Sequence, residues 1–209
     1  MNGNQNMTNF ISNIYAVERR DERENIKKWD KIGNKMLLWH GTKPENVLGI
    51  LQTGFRIAPA CAETTGAMFG PGVYFTDLFN KSYNYTSGTQ YQTFNPTSKR
   101  ILKAPKKYVF LCEVALGNSK KLFQSKDIKD LPNSKLHSVM GVGKNGPDPT
   151  GNVYLPSGSV VPLGKKTTTP EHTLPRGEYW ALNHNEYVVY DTTQVRIKYM
   201  VELRQNQNK

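Results

Sequence analysis

The sequence predicts an α+β domain, and three observations carry that expectation. Short apolar runs at 36 to 39 (MLLW), 72 to 75 (GVYF), 108 to 116 (YVFLCEVAL), 185 to 191 (NEYVVYD) and 194 to 203 (QVRIKYMVEL) read as strands. Helical signals are fewer and do not alternate with those runs as a doubly wound α/β chain requires. The 8 Phe, 11 Tyr and 3 Trp are residues that favour sheet. A length of 209 residues fits one domain able to bury a substantial core.

Residues 1 to 10 and 205 to 209 are polar and read as disordered ends around a domain at 11 to 204. Residues 17 to 35 hold seven basic and five acidic residues around Trp29, which suits an exposed helix or two rather than a core element. MLLW then reads as a buried strand. Thr42, Pro44 and Glu45 offer a capping box and a first-turn proline, so a helix starts there. Its Val47, Leu48, Ile50 and Leu51 fall on one broad face, and Gly54 ends it. His40 and Gly41 therefore sit at a strand-to-helix junction, free to face a ligand.

After GVYF, Asp77 reads as the N-cap of a helical segment through Tyr85, with Ser82 and Tyr85 on one side of it. The final strand alternates strictly, Val195, Ile197, Tyr199, Val201 and Leu203 on one face, which is the pattern of a half-buried antiparallel strand. GVGKNG (141 to 146) satisfies a dinucleotide-binding glycine pattern, but Pro147, Asp148 and Pro149 follow and forbid the helix that such a site needs. Those glycines read as a mobile loop.

The 28 Lys and Arg against 17 Asp and Glu give a net charge of +11. Residues 99 to 107 carry five basic residues and no acidic one, and 119 to 166 carry eight Lys against three Asp. Such a basic face attracts polyanions, from nucleic acid to pyrophosphates, or simply aids solubility. Cys61 and Cys112 are too few for a disulfide framework, and no metal site is expected. No leader or membrane-spanning run is apparent, so the expectation is a soluble, intracellular protein with the compartment, nucleus or cytoplasm, left open. In that setting the Asn-x-Ser/Thr triplets at Asn6, Asn80 and Asn84 carry no meaning.

LLWHGT, GPGVYFTD, NKSYNY and NEYVVYD together, in this order and spacing, resemble the catalytic domain of the poly(ADP-ribose) polymerase family, the diphtheria-toxin-like ADP-ribosyltransferases. GFRIAP (54 to 59), EVALGN (113 to 118), HSVMGVGK (137 to 144) and the Pro147, Asp148, Pro149 loop look like the same family. The resemblance implies a mostly antiparallel split β-sheet core, NAD as co-substrate with no metal, and transfer of ADP-ribose to protein acceptors, the chain itself included. It also implies a His-Tyr-Glu set, here His40, Tyr74 and Glu186. Breaking the nicotinamide glycosidic bond develops positive charge on the ribose, and a carboxylate stabilises it. By the resemblance Glu186 does so, binds a ribose hydroxyl and helps activate the acceptor, while His40 and Thr42 belong to the motif that holds the adenosine ribose. Gly41 and Ser82 are implied to hydrogen-bond the nicotinamide amide, with Tyr74 and Tyr85 sandwiching its ring and Lys81 beside Ser82. Asn46, Gly49 and Arg56 correspond to the adenosine end.

Two departures concern the acceptor side: Pro71 stands where polymerising members often carry a lysine, and Ala67 where an aromatic residue is common. Retention of Glu186 points to polymerisation; single transfer and NAD hydrolysis are the alternatives. Fewer than forty residues precede LLWHGT, so a stand-alone transferase without a helical regulatory domain, active without nicked DNA, is expected. Competing classes are a non-catalytic module that binds NAD or poly(ADP-ribose), and a nucleic-acid binder resting on charge alone.

Overall fold

The computed structural model of the chain describes residues 11–58, 67–87, 106–125, 135–170 and 173–204. The expectations about the two chain ends, Asn6, Cys61 and most of the basic segment at 99 to 107 lie outside the described residues. Strand β1 (Ile11–Ala16) leads to two short helices, α1 (Arg20–Glu24) and α2 (Ile26–Ile32), then β2 (Lys35–Gly41) and α3 (Pro44–Thr53). β3 (Val73–Phe75) and α4 (Phe79–Asn84) follow, then β4 (Lys107–Ala115), β5 (Ser119–Leu122), β6 (Ser138–Gly141) and β7 (Gly143–Pro147). The remaining strands are β8 (Asn152–Tyr154), β9 (Val160–Pro162), β10 (Lys166–Thr168), β11 (Leu182–His184), β12 (Glu186–Val189) and β13 (Val195–Leu203).

These strands form three sheets, β1-β13-β4-β2-β9-β8, β3-β12-β6-β5 and β10-β7-β11. Most pairings are antiparallel, with β2–β9, β5–β6 and β7–β11 parallel. The α+β class and the split, mostly antiparallel sheet are as expected. On β2, which pairs with β4 along its whole length, Trp39 also exchanges backbone hydrogen bonds of 2.8 and 2.9 Å with Thr76. This bridge joins the six-stranded sheet to the end of β3, and so fixes the opening between them. The core lies on the inner face of the large sheet, where Leu38, Phe110, Cys112, Val114 and Ile197 pack with Phe55, Phe75, Tyr187 and Val189. Burying such side chains is the main force holding the two sheets together.

Several local expectations need correction. α3 begins at Pro44 with Lys43 as N-cap and makes no side-chain cap, so the capping box does not form. Thr42 sits one residue too early, and its Oγ1 instead accepts from Asn46 Nδ2 at 3.1 Å. Gly54 does close the helix, its N–H donating to the Ile50 carbonyl. Leu48 is 64% exposed, because the face packed on the core is set by Val47, Ile50 and Leu51. Asp77 does not cap α4, which starts at Phe79; it is buried and bonded to β12. Trp29 lies on α2 as expected but is buried, its Nε1 donating to the Thr193 carbonyl.

In β13 the alternation breaks twice. Register with β4 shifts between Ile197 and Tyr199, leaving Tyr199 exposed, while Glu202 is buried where Tyr15 and Lys106 reach its carboxylate. The largest correction concerns 141 to 146, which fall within Ser138–Gly141 and Gly143–Pro147 but for Val142. In place of a mobile loop, β6 and β7 run there, because neighbouring backbone approaches closely enough that side chains would not fit. A Cβ on Gly143 would stand 2.3 Å from the His184 carbonyl carbon. Glycine therefore serves sheet packing here rather than flexibility.

Candidate active site

One cleft of about 1000 Å³ opens between β2–α3 on one side and β3, α4 and β12 on the other. All eleven residues singled out from the sequence line it: His40, Gly41, Thr42, Asn46, Gly49, Arg56, Tyr74, Lys81, Ser82, Tyr85 and Glu186. Ala67 and Pro71, the two departures, line it as well. The volume lies at the upper end of the range for small-molecule sites, large enough for a dinucleotide.

The first wall starts from the apolar strand β2. His40, near its end, points its Nδ1 at the Tyr74 carbonyl, 2.8 Å away. A carbonyl accepts, so Nδ1 carries the proton and Nε2 is left with a lone pair for a ligand hydroxyl. The ring packs against Phe55 and Phe75, with centroids 4.6 and 5.6 Å apart. Burial pushes its pKa down to about 4, so the imidazole is neutral at physiological pH. Gly41 follows, and here the absence of a side chain is required: a Cβ would stand 1.8 Å from the Ser82 carbonyl oxygen. Thr42 and Asn46 bond to each other, and Gly49 and Arg56 continue the wall along α3 and the segment after it.

The second wall is anchored by polar groups. The Tyr74 hydroxyl donates to the Gly70 carbonyl at 2.8 Å and accepts from the Phe69 N–H at 2.9 Å. Both bonds staple the turn before β3 and lock the ring as a flat platform. Burial first, with the nearby Glu186 charge adding, pushes the phenol up to about 12, so Tyr74 is a stacking surface and not an acid or base. Buried Ser82 comes from α4 and half-exposed Tyr85 from its C-cap, one turn apart as the spacing predicts.

Glu186 opens β12 and is 6% exposed. Its Oε1 receives Lys81 Nζ at 2.7 Å, and Lys81 also donates to the His184 carbonyl at 2.9 Å. Burial lowers the Lys81 pKa and the Glu186 charge raises it again. Of the residues lining the cleft, two have a buried side-chain atom without a hydrogen-bond partner among the described residues: Glu186 Oε2 and Ser82 Oγ. An orphaned carboxylate oxygen and an orphaned hydroxyl in one cleft are groups waiting for a ligand's polar atoms. The arrangement offers a neutral histidine acceptor, open backbone at Gly41, stacking rings and one rigid carboxylate. That set suits a flat amide-bearing ring on one side of a sugar and a developing cation at the sugar itself.

Sequence reasoning missed Phe55, whose ring packs on His40, and Asn185 and Tyr187, which bind Asp77 behind Glu186. Their adjacency to Glu186 in NEYVVYD was the available signal. Among the described residues no cluster of His, Cys, Asp or Glu could hold a metal ion, and no helix is long and apolar enough to cross a membrane.

Comparison with known proteins agrees with this geometry. Poly [ADP-ribose] polymerase 1 of Danio rerio is 39% identical over 196 residues, 94% of this chain and 17% of that protein. Poly [ADP-ribose] polymerase 2 of Arabidopsis thaliana is 39% identical over 197 residues, 94% of this chain and 28% of that protein. A poly [ADP-ribose] polymerase of Drosophila melanogaster is 39% identical over 193 residues, 92% of this chain and 18% of that protein. The chain spans less than a third of the length of these relatives. The family profile described as the poly(ADP-ribose) polymerase catalytic domain matches residues 1–205, and the chain belongs to that family.

Proposed function

We propose that the chain is an NAD-dependent protein ADP-ribosyltransferase that extends its product into poly(ADP-ribose). The observation that carries this reading is the buried Glu186 carboxylate, one oxygen held by Lys81 and the other without a partner, in a cleft sized for a dinucleotide. The nicotinamide ring lies between Tyr74 and Tyr85, its amide on the Gly41 backbone and Ser82 Oγ. The adenosine end runs along α3, with its ribose on His40 Nε2 and Thr42, and Asn46, Gly49 and Arg56 beyond. Fixed at both ends, the substrate presents the glycosidic bond to Glu186.

As the C–N bond breaks, its electron pair leaves with nicotinamide, neutralising the ring nitrogen, and positive charge develops on the ribose. Glu186 stabilises that charge with a preformed, buried carboxylate. An acceptor oxygen then bonds to the anomeric carbon, and its proton leaves toward Glu186. Lys81 keeps the carboxylate aimed. Acceptors include protein side chains, the chain itself among them, and the distal ribose of a growing polymer; the basic residues suit that polyanionic product or nucleic acid. The protein works inside the cell, where NAD is supplied.

A second reading, single transfer or NAD hydrolysis, draws on Pro71 and Ala67, which line the cleft in place of the residues expected of many polymerising members. Incubation with labelled NAD followed by gel electrophoresis separates the possibilities. A ladder or smear that disappears in Glu186→Gln is expected. One sharp band would mean single transfer, label only as free ADP-ribose would mean hydrolysis, and no consumption of NAD would overturn the enzymatic reading.

A further inference from the structure

Asp77 does not line the cleft, yet it touches both elements that shape the carboxylate. It follows β3, precedes α4 and is 4% exposed. Its Oδ2 accepts from Asn185 Nδ2 at 2.8 Å and from the Tyr187 hydroxyl at 3.0 Å. Those two residues flank Glu186, and alternation along an extended chain turns their side chains away from the face that Glu186 presents to the cleft. Asn185 is held at its other end too, its Oδ1 accepting from the Gly143 N–H at 2.9 Å. From the cleft side, Lys81, on the helix that Asp77 introduces, meets Glu186 Oε1 at 2.7 Å.

We infer that Asp77, acting through Asn185 and Tyr187, is a positioning residue that sets the Glu186 carboxylate against Lys81. Burying a carboxylate is costly, and Asp77 Oδ1 has no hydrogen-bond partner among the described residues. Shape alone does not require that cost, since an amide oxygen accepts the same two bonds. The charge adds something an amide lacks. Burial lowers the Lys81 pKa, while Glu186 and then Asp77 raise it again. The groups around this ammonium are the two carboxylates and the His184 carbonyl; the His184 ring is itself pushed toward neutrality by burial and by Lys166 and Lys81. Asp77 thus anchors the strand behind Glu186 and, although burial pushes its own carboxyl up, adds the smallest of the contributions that partly offset the fall in the Lys81 pKa.

This inference rests on the proposed transferase reading. The test is steady-state nicotinamide release from NAD against pH by the full chain, with thermal unfolding of each variant alongside. Asp77→Asn is expected to lower kcat about ten- to a hundredfold, with KM for NAD within about twofold. The alkaline limb of its profile moves to lower pH, as Lys81 loses its proton sooner. Tyr187→Phe removes one donor and leaves the charge, so kcat falls about threefold or more and the alkaline limb stays in place. An Asp77→Asn enzyme that folds and matches the wild type in kcat, KM and pH profile overturns the inference. If Asp77→Asn does not fold, Tyr187→Phe and Asn185→Ser decide it, and wild-type kcat in both overturns it. A wild-type chain that releases no nicotinamide overturns the transferase reading, and this inference with it.

Discussion

On one side of the cleft, β2 and α3 stand on a hydrophobic core, with Leu38 fully buried and Val47 nearly so, and their polar groups are left over for a ligand. On the other side, β12 is fixed by a buried carboxylate, an asparagine and a tyrosine, and by glycines where backbone meets backbone. Away from Gly41, whose backbone meets the Ser82 carbonyl, the first wall tolerates change wherever its apolar face is kept, because hydrophobic packing is not directional. The second depends on individual hydrogen bonds and close approaches, which leave no slack. It is also the wall that carries Glu186, where a small displacement costs most.

One substitution type, placed in both walls, separates these two kinds of cohesion. Gly143→Ala drives a Cβ to within 2.3 to 2.7 Å of the His184 and Asn185 backbone, and neither strand can yield without moving the other. It should destabilise the fold by about 2–3 kcal/mol, read as a lowered urea midpoint. Gly49→Ala, on α3, meets nothing within 4 Å and should stabilise by about 0.5–1 kcal/mol through helix propensity. Similar costs at both positions would dissolve the distinction between the walls.

The titration of His40 tests the first wall by itself. Its pKa of about 4, held below the ordinary 6.5, means the folded state resists a proton that the unfolded chain takes up. Stability is therefore unaffected by this group above about pH 7, and falls as pH drops from about 6.5 to 4, by about 3 kcal/mol in all. Glu22, pushed by burial to about 7, has the opposite sign: it favours the folded state below about 4.5 and loses that advantage as pH rises through 7. The difference between wild type and His40→Gln isolates the histidine. That difference should grow on acidification below about pH 6.5, and a flat one would show that His40 is not desolvated.

Legibility in the sequence followed the same division. The strand MLLW, the helix after it and all eleven cleft residues could be read because apolar runs, a proline and contiguous motifs mark them. Residues 141 to 146 misled, since glycines that make room for His184 and Asn185 look, in sequence, like glycines that make a loop. Asp77 misled for a related reason: an aspartate two residues before a helix has the signature of a cap, and only the arrival of β12 from more than a hundred residues away gives it another partner. Strand β1 and the short strands β8 to β11 carry no strong pattern because they are largely exposed or brief. Polar and close-packed structure is specified by long-range neighbours, and no local window contains them.

The central claim is that the apolar wall binds the donor while the polar wall, through Glu186, does the chemistry. Single-turnover nicotinamide release at saturating NAD, with NAD binding measured in parallel, tests it most directly on wild type and Glu186→Gln. Release is expected to slow about a hundredfold or more, with affinity for NAD within about threefold. Equal release rates in the two proteins, or a loss explained wholly by weaker binding, would contradict it.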